Sequence, residues 1–426
     1  MIQREKYLKK IRRLSNKDIV KVITGTRRSG KSTLMEMFKK ELLDNNISPE
    51  NIIYINFEEK KYRDINNNTQ LDTLIYSITE NIEDKIYLFF DEIQNVAGWE
   101  KSINSYRIDL NSDIYITGSN SKLLSGELAT YLTGRYMEIK VYPLSYNEIL
   151  KYKKQSLSKE ILENKTLLES YEEEILNEYI KYGGMPFIQK LDDEDKYTYL
   201  NDLFDSIIFK DLIIRYKIRE VDLFRRLINY LMDNVGNITT PHNISKYLKN
   251  EKINISSNSI RNYIKYLENV CLVNITTRED IKGKEILKYK DKIYFTDHGF
   301  IQAFNNPENK NTGHLIENIV YNELLRNDYQ VTIGKIGKNE IDFIAKKNDE
   351  KIYIQVTKQL SAKETITREF GNLEKIKDNY PKYVISLDKH ASSQNGIKHL
   401  YLKDFLKGNF NWKNRVLTKI IYGLKF

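Results

Sequence analysis

The sequence predicts an α/β chain: a first domain built on a parallel sheet, then a smaller α+β module, then a second α/β domain. Three observations predict it. A short apolar strand at 18–24 runs into a glycine-bracketed loop and then a helix opening STLMEMF. A second apolar run, 86–90, ends in Asp91-Glu92. Downstream, a helix–helix–helix–hairpin order over 222–300 precedes a helix–strand–strand–strand order over 314–357. At about 100–200 residues per domain, 426 residues make two or three domains.

The loop is Gly25-Thr26-Arg27-Arg28-Ser29-Gly30-Lys31-Ser32, the G-x-x-x-x-G-K-[ST] spacing in its strand-to-helix setting. Its glycines let successive backbone N–H groups curl round phosphates, and the helix N-terminus adds positive potential. Residues 25–33, through Thr33, are therefore the expected nucleotide-binding set. Lys31 is expected to reach the β and γ phosphates, and the Ser32 hydroxyl to bind Mg²⁺. ATP and Mg²⁺ are the expected cofactors.

Hydrolysis also needs an acid at the tip of a buried strand. The five apolar residues before Asp91 read as a strand covered on both faces. Asp91 is expected to hold Mg²⁺ through water, and Glu92 to polarise the attacking water. A third strand, DIYITGSN at 113–120, is expected between the other two. Its tip offers Asn120, or Ser119, as a sensor of the γ-phosphate. Arg135 follows Gly134 and precedes an apolar strand at 139–142. Its guanidinium is a candidate for stabilising transition-state charge across a subunit boundary, which makes a homo-oligomer the expected assembly. The other reading of Arg135 is an ordinary surface ion pair. The expected catalytic set is Glu92, Lys31, Asn120 and Arg135.

These segments, GTRRSGKSTL, IYLFFDEIQNVAGWEK, YITGSNSKLLSGELATYLTGRY and VYPLSYNEI, together with GGMP at 183–186, resemble a prokaryotic family of AAA-type ATPases. Its members join this domain to a C-terminal domain of unknown function. The resemblance is specific over 1–150 and looser over 200–400. It implies an ATPase with an additional strand in its sheet and places Arg135 in the family's arginine motif.

Residues 151–215 read as a charge-dense helical connector. Gly183-Gly184-Met185-Pro186 breaks it, either as a hinge or as a plain helix terminator. Residues 216–304 follow a winged helix-turn-helix order, with Ser257 or Ser259 suited to cap the third helix. That helix is expected to expose Asn258, Arg261, Asn262 and Lys265 and to bury Ile260, Tyr263, Ile264 and Leu267. Such a module reads DNA in some proteins and binds protein in others.

Residues 305–426 resemble the PD-(D/E)xK restriction-endonuclease-like fold. There a helix Glu, a strand Asp and an E-x-K strand bind Mg²⁺. The matching positions are Glu317, Asp342, Gln355 and Thr357. Gln355 is neutral and Thr357 stands where the lysine belongs, so a degenerate site with weak or absent nuclease activity is expected. Lys358 is adjacent, but strand side chains alternate faces, so it is expected to point away.

Charge is concentrated. Of 68 basic and 59 acidic residues, positions 1–150 carry 22 and 21, whereas 351–426 carry 15 and 6. The excess of +9 therefore sits at one end, as a local polyanion surface or as a solvated lysine-rich tail. DNA is the expected partner of the C-terminal modules, and a protein partner is the alternative. The single cysteine, Cys271, lies in an apolar run and reads as core. No secretory h-region and no spanning apolar segment is present, so no membrane partner and a cytoplasmic setting are expected.

Overall fold

A computed structural model of the chain describes residues 2–118, 132, 134–283, 286–304 and 312–408. They form two compact units, each assembled from separate stretches. The first runs to Leu144 and takes in Met185–Phe224 and Arg261–Val273. The second comprises Ser145–Gly184, Arg225–Ile260 and the chain from Asn274 onward.

The first unit is built on strands β1 (Val20–Thr24), β2 (Ile52–Asn56), β3 (Ile86–Asp91), β4 (Ser112–Gly118) and β5 (Tyr136–Lys140). They lie in the order β2-β3-β4-β1-β5, all parallel. The third apolar strand therefore does lie between the other two. Alternation explains why the strands read as apolar throughout. Val20, Val22, Leu88, Phe90, Ile114 and Ile116 face α3 (Asn68–Thr79) and α4 (Trp99–Asp109). Ile23, Tyr87, Phe89 and Tyr115 face α1 (Glu5–Leu14) and α2 (Lys31–Asp44). One charge interrupts that second face. Lys21, fully buried, is paired with Asp113, whose other oxygen accepts from Tyr115 Oη at 2.7 Å and from the Asn16 N–H at 2.8 Å. Such a pair persists in a core only because every oxygen is satisfied.

The expected connector is helical: α5 (Tyr146–Lys154), α6 (Lys159–Glu163), α7 (Lys165–Tyr182) and α8 (Asp193–Ser206), followed by a π-helical stretch at Ile207–Ile214. The glycine pair does end a helix. Gly183, at φ 75°, caps α7 with its N–H on Tyr179 O at 2.9 Å.

Next come α9 (Val221–Asp233), β6 (Ile238–Thr239), α10 (Pro241–Asn250), α11 (Ser257–Asn269), β7 (Val273–Asp280) and β8 (Ile286–Phe295). Asn258, Arg261, Asn262 and Lys265 are exposed, while Ile260, Ile264 and Leu267 are buried. The cap of α11 is Ser256, not Ser257 or Ser259: its Oγ accepts the Ser259 N–H at 3.0 Å. An N-cap sits just before the first helical residue, and the run of serines left its register open.

The remainder is α12 (His298–Phe304), α13 (Thr312–Arg326), β9 (Gln330–Ile336), β10 (Asn339–Lys347), β11 (Glu350–Val356), α14 (Lys363–Glu374), β12 (Lys382–Ser386), β13 (Lys398–Tyr401) and α15 (Leu402–Leu406). β9, β10 and β11 form an antiparallel meander. β11 then pairs parallel with β12 across the α14 crossover. The sheet order is β13-β12-β11-β10-β9-β7-β8-β6, with β7 parallel to β9. One sheet is thus continuous across the expected boundary at 304–305. Among the described residues, no helix is long and apolar enough to cross a membrane.

Candidate functional site

The 25–32 loop joins β1 to α2, and its shape follows from one close approach. Gly25 has φ 146°, and a Cβ there would lie 2.2 Å from the Val141 carbonyl oxygen. Only glycine fits. Lys31 opens α2 and folds back on the loop, donating to Gly25 O at 3.0 Å and Thr26 O at 3.1 Å. Burial pushes its ammonium below the usual range, against the pull of the Glu92 carboxylate. The hydroxyls of Thr26 and Ser29 are buried with no hydrogen-bond partner among the described residues. A buried cation short of counter-charge and two orphaned hydroxyls suit a polyanionic ligand.

The loop borders a cavity of about 690 Å³, within the usual range for a small-molecule site. Arg27, Arg28, Gly30, Lys31, Ser32 and Thr33 line it, as does Glu92. Asp91 is buried at the end of β3, hydrogen-bonded to Thr117 and to Tyr54 Oη. Glu92 takes a left-handed turn at φ 55°, with its N–H on Thr117 Oγ1 at 3.1 Å, and so faces the cavity rather than continuing the strand. Gln94 donates to its carboxylate. The acid pair is thereby split, one side chain held inside and one presented.

Asn120 and Ser119 lie outside the described residues. Arg135 is exposed and immediately precedes β5, where its carbonyl accepts the Val20 N–H. Val20 begins β1 and Tyr136 pairs with it, whereas the phosphate loop follows Thr24. About 13 Å of strand separates the two ends. Arg135 therefore sits at the opposite end of the strands from its own chain's loop and does not line the cavity.

Two parts of the wall were not expected. Arg4 is 3% exposed, donates to Ser29 O at 3.0 Å and to Tyr142 O at 2.7 Å, and pins the loop. The opposite wall comes from Pro186, Phe187 and, on α8, Tyr199 and Asp202. The Phe187 and Tyr199 rings meet at a tilt of 40°, with centroids 5.1 Å apart. Arg27 is steered by Asp211, with Nε 3.0 Å from Oδ2. An Arg4→Ala variant is expected to lose about tenfold in ATP affinity and about 2 kcal/mol in stability, the usual scale for hydrogen bonds to a charged group. Equilibrium binding and chemical denaturation measure both, and an unchanged affinity removes Arg4 from the site.

A second cluster surrounds the nuclease-like positions. Glu317 (α13), Asp342 (β10), Gln355 (β11) and Thr357 do converge, on a cavity of about 490 Å³. Lys358 lines it as well, against expectation: β11 ends at Val356, so strand alternation no longer governs the residue.

Two family models match parts of the chain. Residues 17–150 match an AAA domain family, and residues 173–311 match a domain of unknown function. An uncharacterized protein of Haemophilus influenzae is 39% identical over 407 residues, covering 95% of this chain and 98% of its own length. An uncharacterized protein of Methanocaldococcus jannaschii is 34% identical over 337 residues, covering 78% and 70%. Among solved structures, a Walker-type ATPase of Pyrococcus abyssi aligns over 71% of this chain and 95% of its own, at 17% identity and a TM-score of 0.45.

Proposed function

We propose a function from one premise: this chain belongs to the protein family of its Haemophilus influenzae and Methanocaldococcus jannaschii relatives, and carries an AAA domain at residues 17–150. It binds ATP and hydrolyses it to ADP and phosphate. The observation that carries this is a cavity bordered by both the phosphate loop and Glu92. Lys31 and the loop N–H groups hold the phosphates, while Thr26 and Ser29 offer hydroxyls to them. Glu92 orients and deprotonates the attacking water. Ser32 and Asp91 fit a hard cation, being oxygen donors at the loop and at the neighbouring strand tip. Mg²⁺ bound there supplies neutralisation of charge on the transferred phosphoryl group. Asn120 acts as the sensor.

Arg135 acts in trans. Its place at the other end of the strands from its own chain's loop supports this, and it makes the active form a homo-oligomer.

The C-terminal modules engage DNA. Support comes from the element order of 216–304, which is that of a winged helix with an exposed polar face on α11. Residues 312–386 follow an αβββαβ order, that of a restriction-endonuclease-like fold. Lys358, Lys363, Arg368, Lys375 and Lys377 are all exposed on or beside α14. Neutralising these five is expected to abolish salt-sensitive DNA binding and lower the slope of log K against log salt by up to about 4. ATPase rates with single-stranded, duplex and branched DNA complete the test. Binding equal to wild type returns the basic excess to a solvated tail and favours the alternative, a nucleotide-gated scaffold for a protein partner.

A further inference from the structure

The nuclease-like fold implies a divalent cation between the helix Glu and the strand Asp, and the residues around Glu317 do not fit one. We propose that Lys292 is the resident cation of this site and stands in place of the metal. Lys292 comes from β8, well outside the nuclease-like pattern, and is 3% exposed. Its Nζ lies 2.9 Å from Glu317 Oε1 and 2.7 Å from Glu340 Oε1. Two residues on, on the same face of β8, Tyr294 Oη donates to the same Glu317 oxygen at 2.7 Å. His314 Nδ1 meets the other oxygen at 3.3 Å. Both oxygens of the helix Glu are therefore committed.

On the strand side one carboxylate oxygen is in use. Asp342 Oδ2 accepts the Val356 N–H at 2.7 Å. Burial, and then the Glu317 charge, pushes the Asp342 carboxyl well above the usual carboxylate range. The Glu317 carboxyl, although burial opposes its ionisation, is held below that range by Lys292.

Gln355 then has a reason to be an amide. Its Oε1 accepts the Asp342 N–H at 2.8 Å, and its Nε2 donates to Glu369 Oε2 at 2.7 Å. A glutamate there would set two carboxylates at hydrogen-bond distance with no proton between them. Among the described residues, no three His, Cys, Asp or Glu groups converge as a metal site requires. A divalent ion takes six or more oxygens at 2.0–2.6 Å. It cannot share Glu317 and Glu340 with an ammonium already in contact with both.

The inference rests on the nuclease-like reading of these residues and is independent of the ATPase reading. The test is Mn²⁺ titration of the full chain without nucleotide, read by electron paramagnetic resonance. Wild type is expected to bind no Mn²⁺ that Glu317→Gln removes. Lys292→Ala, or Lys292→Met should alanine fail to fold, is expected to gain one Mn²⁺ per chain. Adding Glu317→Gln should abolish that gain, and ethylammonium should compete with the ion in the alanine variant. A wild-type Mn²⁺ that depends on Glu317 overturns the proposal, as does a folded Lys292 variant that gains none. If wild type also cuts plasmid with Mn²⁺, the expectation of a non-cleaving domain falls with it. If wild type stays inert, only the role of Lys292 falls.

Discussion

Glu92→Gln is expected to leave ATP bound and almost unhydrolysed. The substitution keeps the size of the side chain and its place on the cavity wall but removes the base. General-base catalysis of this kind contributes about 10²–10⁴-fold, so kcat should fall within that range while ATP affinity changes less than about threefold. The geometry makes the outcome specific to this acid. Asp91, one residue earlier, is buried and accepts from Thr117 and Tyr54, so changing it disturbs packing as well as metal binding. Glu92 departs from the strand at φ 55° and bonds Thr117 only through its backbone. Its carboxylate has one hydrogen bond to lose, from Gln94. Lys31→Ala supplies the contrast: affinity itself should collapse, because the buried ammonium is the charge that meets the phosphates. Single-turnover hydrolysis beside equilibrium binding separates the two. A Glu92→Gln enzyme turning over at the wild-type rate removes Glu92 as the base.

How much of this was legible in sequence depends on how local the physics is. The phosphate loop, the acid strand and the strand between them are written in contiguous residues, because a tight turn and a doubly covered strand each restrict the residues that form them. The far wall is not. Phe187 and Tyr199 lie more than 150 residues beyond the loop, and nothing in a connector marks two aromatics as a pocket wall. Arg4 was hidden in a charged N-terminal stretch, although an arginine just before an apolar-periodic helix is a signal worth reading.

Arg135 shows the converse. Its neighbourhood in sequence suggested chemistry, but the parallel register of β5 with β1 decides which end of the sheet it occupies, and register is not visible in one strand. Lys21 and Lys292 show the same limit from the core. A lysine in a strand reads as a surface residue until its carboxylate partner, 92 residues away for Lys21 and 25 for Lys292, is brought alongside.

Gly183→Ala is expected to destabilise the protein by about 3–5 kcal/mol, the range reserved for changes that break a buried network. The residue sits at φ 75°, where a side chain already costs about 1 kcal/mol. The larger cost is steric. A Cβ at 183 would lie 1.9 Å from Asp297 Oδ1 and 2.8 Å from the Gly299 nitrogen. Asp297 cannot step aside, because it is 1% exposed and both its oxygens are in use. Oδ2 accepts the Gly184 N–H at 2.9 Å, and Oδ1 accepts the Gly299 N–H at 2.8 Å. Moving it would strand two buried N–H groups and a buried charge. Gly299 is pinned from the other side, since its own Cβ would meet the Tyr182 carbonyl oxygen at 2.2 Å. Asp297→Ala should therefore cost a comparable amount without any clash, and Asp297→Asn, which keeps one acceptor, should cost less. Urea denaturation of the three variants gives the order, and ATPase rate is the second readout because Pro186, two residues after the clamped Gly184, lines the nucleotide cavity. A junction that served as a free hinge would tolerate alanine at 183, so a Gly183→Ala protein with wild-type midpoint and wild-type turnover would show that the aspartate clamp does not hold the chain there.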